Sequence, residues 1–185
     1  MTALMKTPDA MTKVRQEIRR VVGKKPLVDE NDIQMLPYLK AVIKESMRLY
    51  PIAPLMVPKE TSERCFIDGY EIQPKTTVNF NVWAIGRGPQ YWENPDEFLR
   101  DRFLNSPIDY KGKDFGCIPF GFGRRGCPGM SLDVAIVELA LANLLYAFDW
   151  GLPDGMTEGD VNTDSLPGLA THKKDPLSLM AKRYI

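Results

Sequence analysis

Residues 134–148 form the longest apolar-rich stretch of the chain, with Glu138 and Asn143 inside it and Asp133 at its border. No other feature limits the fold so tightly. The run reads as a helix over Met130–Ala147 that is apolar on nearly every side. Such a helix has to be enclosed, by other protein elements or by lipid. A membrane span takes about 20 predominantly apolar residues. The acid and amide side chains here favour enclosure by protein. The 185 residues suffice for one domain, or for one large piece of a bigger one, around that helix.

Immediately before the helix stands FGFGRRGCPG, residues 120–129. A helix start carries partial positive charge and unpaired N–H groups. Arg124 and Arg125 add two cations just ahead of Cys127. Both effects favour a thiolate over a thiol. Gly121, Gly123, Gly126 and Gly129 let the backbone approach a large flat ligand and turn its N–H groups toward the sulfur. Pro128 suits the turn into the helix. The composition of this loop predicts a sulfur that faces a ligand. Cys65 and Cys117 lack that setting and read as small core residues.

The remaining titratable chemistry is sparse. Three cysteines with no CxxC spacing exclude a disulfide framework and a structural zinc site, and suit a reducing compartment. His172 is the only histidine and reads as a surface residue beside Lys173 and Lys174, so histidine-based metal clusters and nucleophile schemes are not expected. A formal net charge of zero argues against nucleic acid and anionic membrane as partners. No basic stretch leads into an apolar one after Met1, so no signal peptide is expected.

Along the chain, Thr7 and Pro8 read as a helix start, Thr7 as the cap and Pro8 at the first helical position. Met11, Val14, Ile18, Val21 and Val22 follow at helical spacing, and Gly23 ends the helix. A second helix runs from about Ile33, or from Pro37, to Tyr50, and Pro51 and Pro54 close it. RCFIDGYEI reads as a hairpin turning at Asp68-Gly69. Residues 76–82 read as a further strand. Residues 86–105 read as short helical turns and ordered coil, packed down through Trp83, Tyr91, Trp92, Phe98 and Phe103. The turn-rich C-terminal part closes in DPLSLMAKRYI, read as a terminal strand. The fold class is mainly α with a small β element.

FGFGRRGCPG resembles the haem-binding loop of the cytochrome P-450 monooxygenases, F-x-x-G-x-R-x-C-x-G, with Phe120, Gly123, Arg125, Cys127 and Gly129 at its fixed positions. Glu45-Ser46-Met47-Arg48 resembles that family's E-x-x-R, and Arg102-Phe103 the end of a third motif, in which proline usually stands where Arg100 is and glutamate often stands where Asp101 is. Three residues apart on a helix, Glu45 and Arg48 are neighbours; by themselves they would be a solvated surface pair. The resemblance implies that they are buried and close a charge network with Arg102. It implies haem b (iron protoporphyrin IX) as cofactor, Cys127 as the iron ligand, Arg125 and Lys59 toward the propionates, and Phe120 near the porphyrin. Lys59 stands where relatives usually carry arginine and lacks its bidentate fork. Ala53, Pro54, Leu55, Met56 and Val57, with Leu169, would line a substrate pocket.

The resemblance covers nearly the whole chain and has the flavour of plant microsomal members. It implies the C-terminal part of the cytochrome P-450 fold, residues 1–185 forming the haem-binding portion of a single domain whose N-terminal portion is absent. It further implies insertion of one oxygen atom from dioxygen into a small organic substrate. The electrons would come from an NADPH-cytochrome P-450 reductase, for which Lys111, Lys113 and Arg124 offer a basic docking face. The intact enzyme would sit on the cytosolic face of the endoplasmic reticulum membrane through an N-terminal anchor that this chain lacks, so the chain alone would be soluble. No catalytic acid or base is assigned within it, and alone it is expected to be inactive. Two alternatives stand beside this reading: a peroxide-rearranging haem-thiolate relative, against which the ordinary loop argues, and a non-catalytic chain without stable haem.

Overall fold

The computed structural model describes residues 1–184. Its elements in chain order are α1 (Thr2–Met5), α2 (Pro8–Val22), α3 (Glu30–Gln34), α4 (Pro37–Leu49), β1 (Lys59–Glu60), β2 (Cys65–Ile67), β3 (Tyr70–Ile72), β4 (Thr77–Val78), α5 (Val82–Ile85), α6 (Met130–Ala147), β5 (Phe148–Gly151), β6 (Ser165–Leu166), β7 (His172–Lys173) and β8 (Met180–Arg183). The strands form four antiparallel pairs, β1 with β4, β2 with β3, β5 with β8 and β6 with β7. The architecture is mainly helical with small two-stranded sheets, as the sequence predicts.

Three helices make the main core. Ala10, Met11, Val14, Ile18 and Val22 of α2 meet Leu39, Val42 and Ile43 of α4 and Ala142, Leu145 and Tyr146 of α6, all buried. Each fully buried Leu, Ile or Val contributes about 1.5–3 kcal/mol, which far exceeds the helices' intrinsic propensities. The Tyr146 hydroxyl shares its single proton between the carbonyls of Lys25 at 2.6 Å and Gly23 at 3.0 Å.

Helix boundaries follow local chemistry with one correction. Gly23 ends α2 at φ 66° as expected, but the Thr7 side chain makes no capping bond. Pro8, which has no N–H to satisfy, and Asp9, an acid at the positive end of the helix, start it instead. Of the two starts read for the second helix, Pro37 is the one observed and opens α4; α3 before it is a separate short helix opened by an Asp29–Asp32 capping box. The first N–H groups of α4 find a remote partner. The Glu17 carboxylate of α2 accepts from Tyr38 N–H and Leu39 N–H, both at 2.9 Å.

The hairpin turns at Asp68 and Gly69, both with positive φ (49° and 82°). The strand expected over 76–82 shrinks to Thr77–Val78, because the Asn81 side chain accepts from Ala84 N–H at 2.9 Å and so caps α5. Trp92 and Phe103 are buried and Phe98 half-buried, as expected, whereas Trp83 and Tyr91 stay exposed. Trp83 faces the Arg87 guanidinium, 4.4 Å from its ring centroid. The C-terminal strand is β8; Ile185 lies outside the described residues.

The bounds of α6 match the sequence reading, but its enclosure does not. Val134, Ala142, Leu145 and Tyr146 are buried, while Leu132 (68% exposed), Ile136 (57%), Val137 and Leu144 face outward. The elements packed on α6 cover one side of it, and the helix is apolar on both.

Candidate functional site

The site begins at the C-terminal half of α4. Glu45 and Arg48 are buried side by side, with Arg48 Nε and Nη2 donating to the two carboxylate oxygens at 2.7 and 2.8 Å. The other Arg48 donors reach the carbonyls of Gly86 (2.5 Å), Pro95 (2.6 Å) and Glu97 (3.0 Å). All five N–H groups of the guanidinium therefore have acceptors. Glu45 Oε1 also accepts from Leu99 N–H at 2.7 Å and from Arg102 Nε at 3.3 Å. One carboxylate thus ties α4 to a 3₁₀ turn over Arg100–Phe103. Gly86 has to be glycine here, since a Cβ would lie 2.6 Å from the Arg48 carbonyl oxygen.

Where the family pattern has proline, Arg100 holds the turn by another route. Its Nε donates to the Tyr38 hydroxyl at 2.8 Å. Burial pushes the Tyr38 hydroxyl above the usual phenol range, and the Arg100 contact opposes that shift. The turn forms and Arg102 reaches Glu45, so the departure at position 100 leaves the network whole.

From the network the contacts lead toward the cysteine loop. The Arg48 guanidinium lies 5.2 Å from the Trp92 ring centroid, and Trp92 Nε1 donates to the Gly116 carbonyl at 3.0 Å. Cys117 follows, buried among Ala41, Trp92 and Phe103, and burial pushes its thiol up to about 12. It stays a protonated core residue, as read. Cys65 is half-buried.

Residues 123–125 of the loop form a 3₁₀ turn, and Cys127 N–H donates back to the Phe120 carbonyl at 2.8 Å. Gly129 directly precedes α6. Cys127 is exposed, as are Gly123, Arg124, Arg125 and Gly129. Neither arginine has an ion pair or a side-chain hydrogen bond among the described residues. Phe122 packs edge-on between Phe80 (5.5 Å) and Phe115 (5.4 Å), and Phe120 packs edge-on to Tyr110 (5.9 Å). The flanking aromatics Phe80, Tyr110 and Phe115 lie outside the motifs; their only trace in the sequence is aromatic residues in irregular segments.

The structure brings Lys59 to this loop, its Nζ 5.5 Å from the Phe80 ring centroid and 5.9 Å from that of Phe122. Met56 is also at the loop. It is buried with Val82 and Ile118, and its sulfur lies 3.8 Å from where a Gly121 Cβ would stand. Met56 therefore packs into core, whereas Leu55 and Val57 are exposed and Ala53 and Pro54 half-buried. The turn carrying exposed Leu169 is joined to this segment through Thr171 N–H, which donates to the Ile52 carbonyl at 2.7 Å. A cavity of about 530 Å³ lies beside it, between the end of α4 and the β6–β7 pair. Of the expected pocket residues only Pro54 lines that cavity. His172, which also lines it, is exposed.

These residues suit a flat, dianionic iron porphyrin. The donor set is one accessible thiol, with two unpaired guanidinium groups beside it and a rim of glycines. No group of three His, Cys, Asp or Glu side chains is placed to hold a metal among the described residues. Fold and site define a class: a mainly helical protein that exposes one cysteine on a glycine- and arginine-rich loop directly before a long helix.

The comparisons agree with that class. The cytochrome P-450 family model matches residues 1–180. The chain is 52% identical over 191 residues to 5-OH-xanthotoxin synthase of Pastinaca sativa, covering 100% of this chain and 38% of that protein. It is 51% identical over 191 residues to 6,7,8-trihydroxycoumarin synthase of the same plant, with the same coverage. With strychnine-11-hydroxylase of Strychnos nux-vomica it shares 48% over 181 residues, 98% of this chain and 36% of that protein. The chain belongs to the cytochrome P-450 family, an oxidoreductase family, and is similar to its plant members. It spans somewhat more than a third of the length of the curated relatives it matches.

Proposed function

We propose that this chain forms the thiolate side of a haem-dependent monooxygenase, its residues corresponding to the C-terminal haem-binding portion of one family domain. The observation that carries this reading is the exposed Cys127 thiol on a loop bearing two unpaired arginines at the start of a long helix. Cys127 would ligate the iron of haem b. Arg125 and Lys59 would meet its propionates, Phe120 would flank the sulfur, and Gly123 and Gly129 would leave room for the ring.

When bound through a thiolate, haem supplies activation of dioxygen for insertion of one oxygen atom into a substrate C–H bond. The chain's own residues do the positioning. The Phe120 carbonyl holds the Cys127 amide, the edge-on aromatic pairs brace the loop, and the Glu45–Arg48–Arg102 network fixes α4 against the segment leading into the loop. The substrate is a small organic molecule. The relatives are named for trihydroxycoumarin, xanthotoxin and strychnine chemistry, and Ala53, Pro54, Leu55, Val57 and Leu169 are this chain's candidate contacts.

Electrons come from an NADPH-dependent cytochrome P-450 reductase. Lys111, Lys113 and Arg124 are all exposed, and Gly112 between the lysines packs against the loop, its virtual Cβ 3.2 Å from the Gly121 carbonyl oxygen. These three cations support a docking face next to Cys127. The cytosolic face of the endoplasmic reticulum is the location this reading assigns to the intact enzyme. The test is to load the chain with hemin, reduce it and add carbon monoxide. A thiolate-type Soret band in the wild type that is missing in Cys127→Ser supports the reading; identical spectra refute it.

A further inference from the structure

The cysteine loop is held unequally on its two sides. Phe122 has two edge-on aromatic neighbours, Phe80 and Phe115, while Phe120 has Tyr110 as its ring partner, at 5.9 Å and 65°. Phe120 is also the residue whose carbonyl accepts the Cys127 N–H. Tyr110 belongs to none of the motifs that mark the site. Yet it packs against the buried cluster of Ala41, Trp92, Phe103 and Cys117, which lies under the Arg48 guanidinium. Lys44 of α4, next to Glu45, places its Nζ 5.9 Å from the centroids of both Tyr110 and Phe103 and donates to the Ile108 carbonyl at 3.3 Å. Burial, with Glu138 and Asp109 nearby, pushes the Tyr110 hydroxyl up to about 12, so the ring stays neutral.

We propose that Tyr110 is a positioning residue for Cys127. Its ring, clamped by Lys44, docks Phe120, and the Phe120 carbonyl then sets where the Cys127 backbone and its sulfur sit. This ring links Lys44 of α4 to the thiol loop. The meaning of this arrangement rests on Cys127 as the haem ligand, but the arrangement itself is tested without haem.

The experiment is site-resolved amide hydrogen exchange on the full chain. In Tyr110→Leu the Cys127 amide exchanges about three- to tenfold faster, the range that losing one edge-on aromatic pair supports. The core amides of Val14, Ile18 and Leu145 keep their rates. Tyr110→Phe restores wild-type protection at Cys127, because the ring and not the hydroxyl makes the contact. Lys44→Met speeds Cys127 exchange at least twofold, and adds nothing in the Tyr110→Leu background. An unchanged Cys127 rate in Tyr110→Leu, equal acceleration at the core amides, or failure of phenylalanine to restore protection overturns the proposal. Should Tyr110→Leu not fold, Lys44→Met decides alone: no acceleration at Cys127 overturns it. Loss of haem ligation in the carbon monoxide test would sink the haem reading and leave these exchange rates untouched, so the two failures are distinguishable.

Discussion

Glu45→Gln is the sharpest perturbation of this structure. The Glu45 carboxylate accepts two bonds from Arg48, one from Leu99 N–H and one from Arg102, and the pair is fully buried. A glutamine keeps one acceptor oxygen and turns an NH₂ group toward an arginine donor. It also leaves two guanidinium groups facing a neutral side chain. Removing one partner of a buried ion pair costs about 3–5 kcal/mol, because the remaining charge is left uncompensated away from water. That is a large part of the roughly 5–15 kcal/mol that holds a typical domain together. For a chain of this size it corresponds to a melting temperature lower by about 6 to 20 °C. Urea and thermal unfolding of the wild type and variant give the number. A second arm separates charge from packing: Glu45→Leu combined with Arg48→Leu recovers part of the loss, since both members of the fully buried pair are removed and only Arg102, at the edge of the network, loses its partner. A cost below about 1 kcal/mol would place the pair with solvated surface ion pairs and refute the reasoning.

Other positions give independent checks. Gly86→Ala puts a Cβ 2.6 Å from the Arg48 carbonyl oxygen and destabilises by about 1–3 kcal/mol in urea unfolding. Gly151→Ala, with open space around its Cβ, stays within about 0.5 kcal/mol. The Cys117 thiol has a folded-state value raised from 9.0 to about 12, so the folded chain holds that proton more tightly than the unfolded one. Its contribution to stability is complete below pH 9 and declines as pH rises from 9.0 toward about 12. Unfolding measured across that window shows the decline, and Cys117→Ala flattens it. Under native conditions iodoacetamide followed by mass spectrometry labels exposed Cys127 ahead of buried Cys117. Ile136→Lys, on the outward side of α6, changes stability by less than about 0.5 kcal/mol, whereas Leu145→Ala in the core costs about 2–5 kcal/mol. A large loss for Ile136→Lys would show that this side is covered.

Local chemistry already sufficed for much of the molecule. Apolar spacing placed α2, α4 and α6, Asp68-Gly69 placed the hairpin turn, and a ten-residue stretch rich in glycine with two arginines and one cysteine marked the loop that exposes Cys127. Such signals are readable because each depends on residues a few positions apart. Everything that misled or stayed hidden depends on distant partners. Thr7 caps nothing, while Glu17 caps α4 from another helix. Glu45 and Arg48 lie off the apolar stripe, and it takes the carbonyls of Gly86, Pro95 and Glu97 around Arg48, and Leu99 N–H and Arg102 around Glu45, to make their burial tolerable. The packing of Met56 with Val82 and Ile118 leaves no trace in the sequence, and Tyr110 looks like ordinary coil and touches Phe120. A pattern of side chains names what a segment has to satisfy. Which groups satisfy it is settled only when the chain closes on itself, because desolvation and hydrogen bonding act on whatever packing brings within a few ångströms.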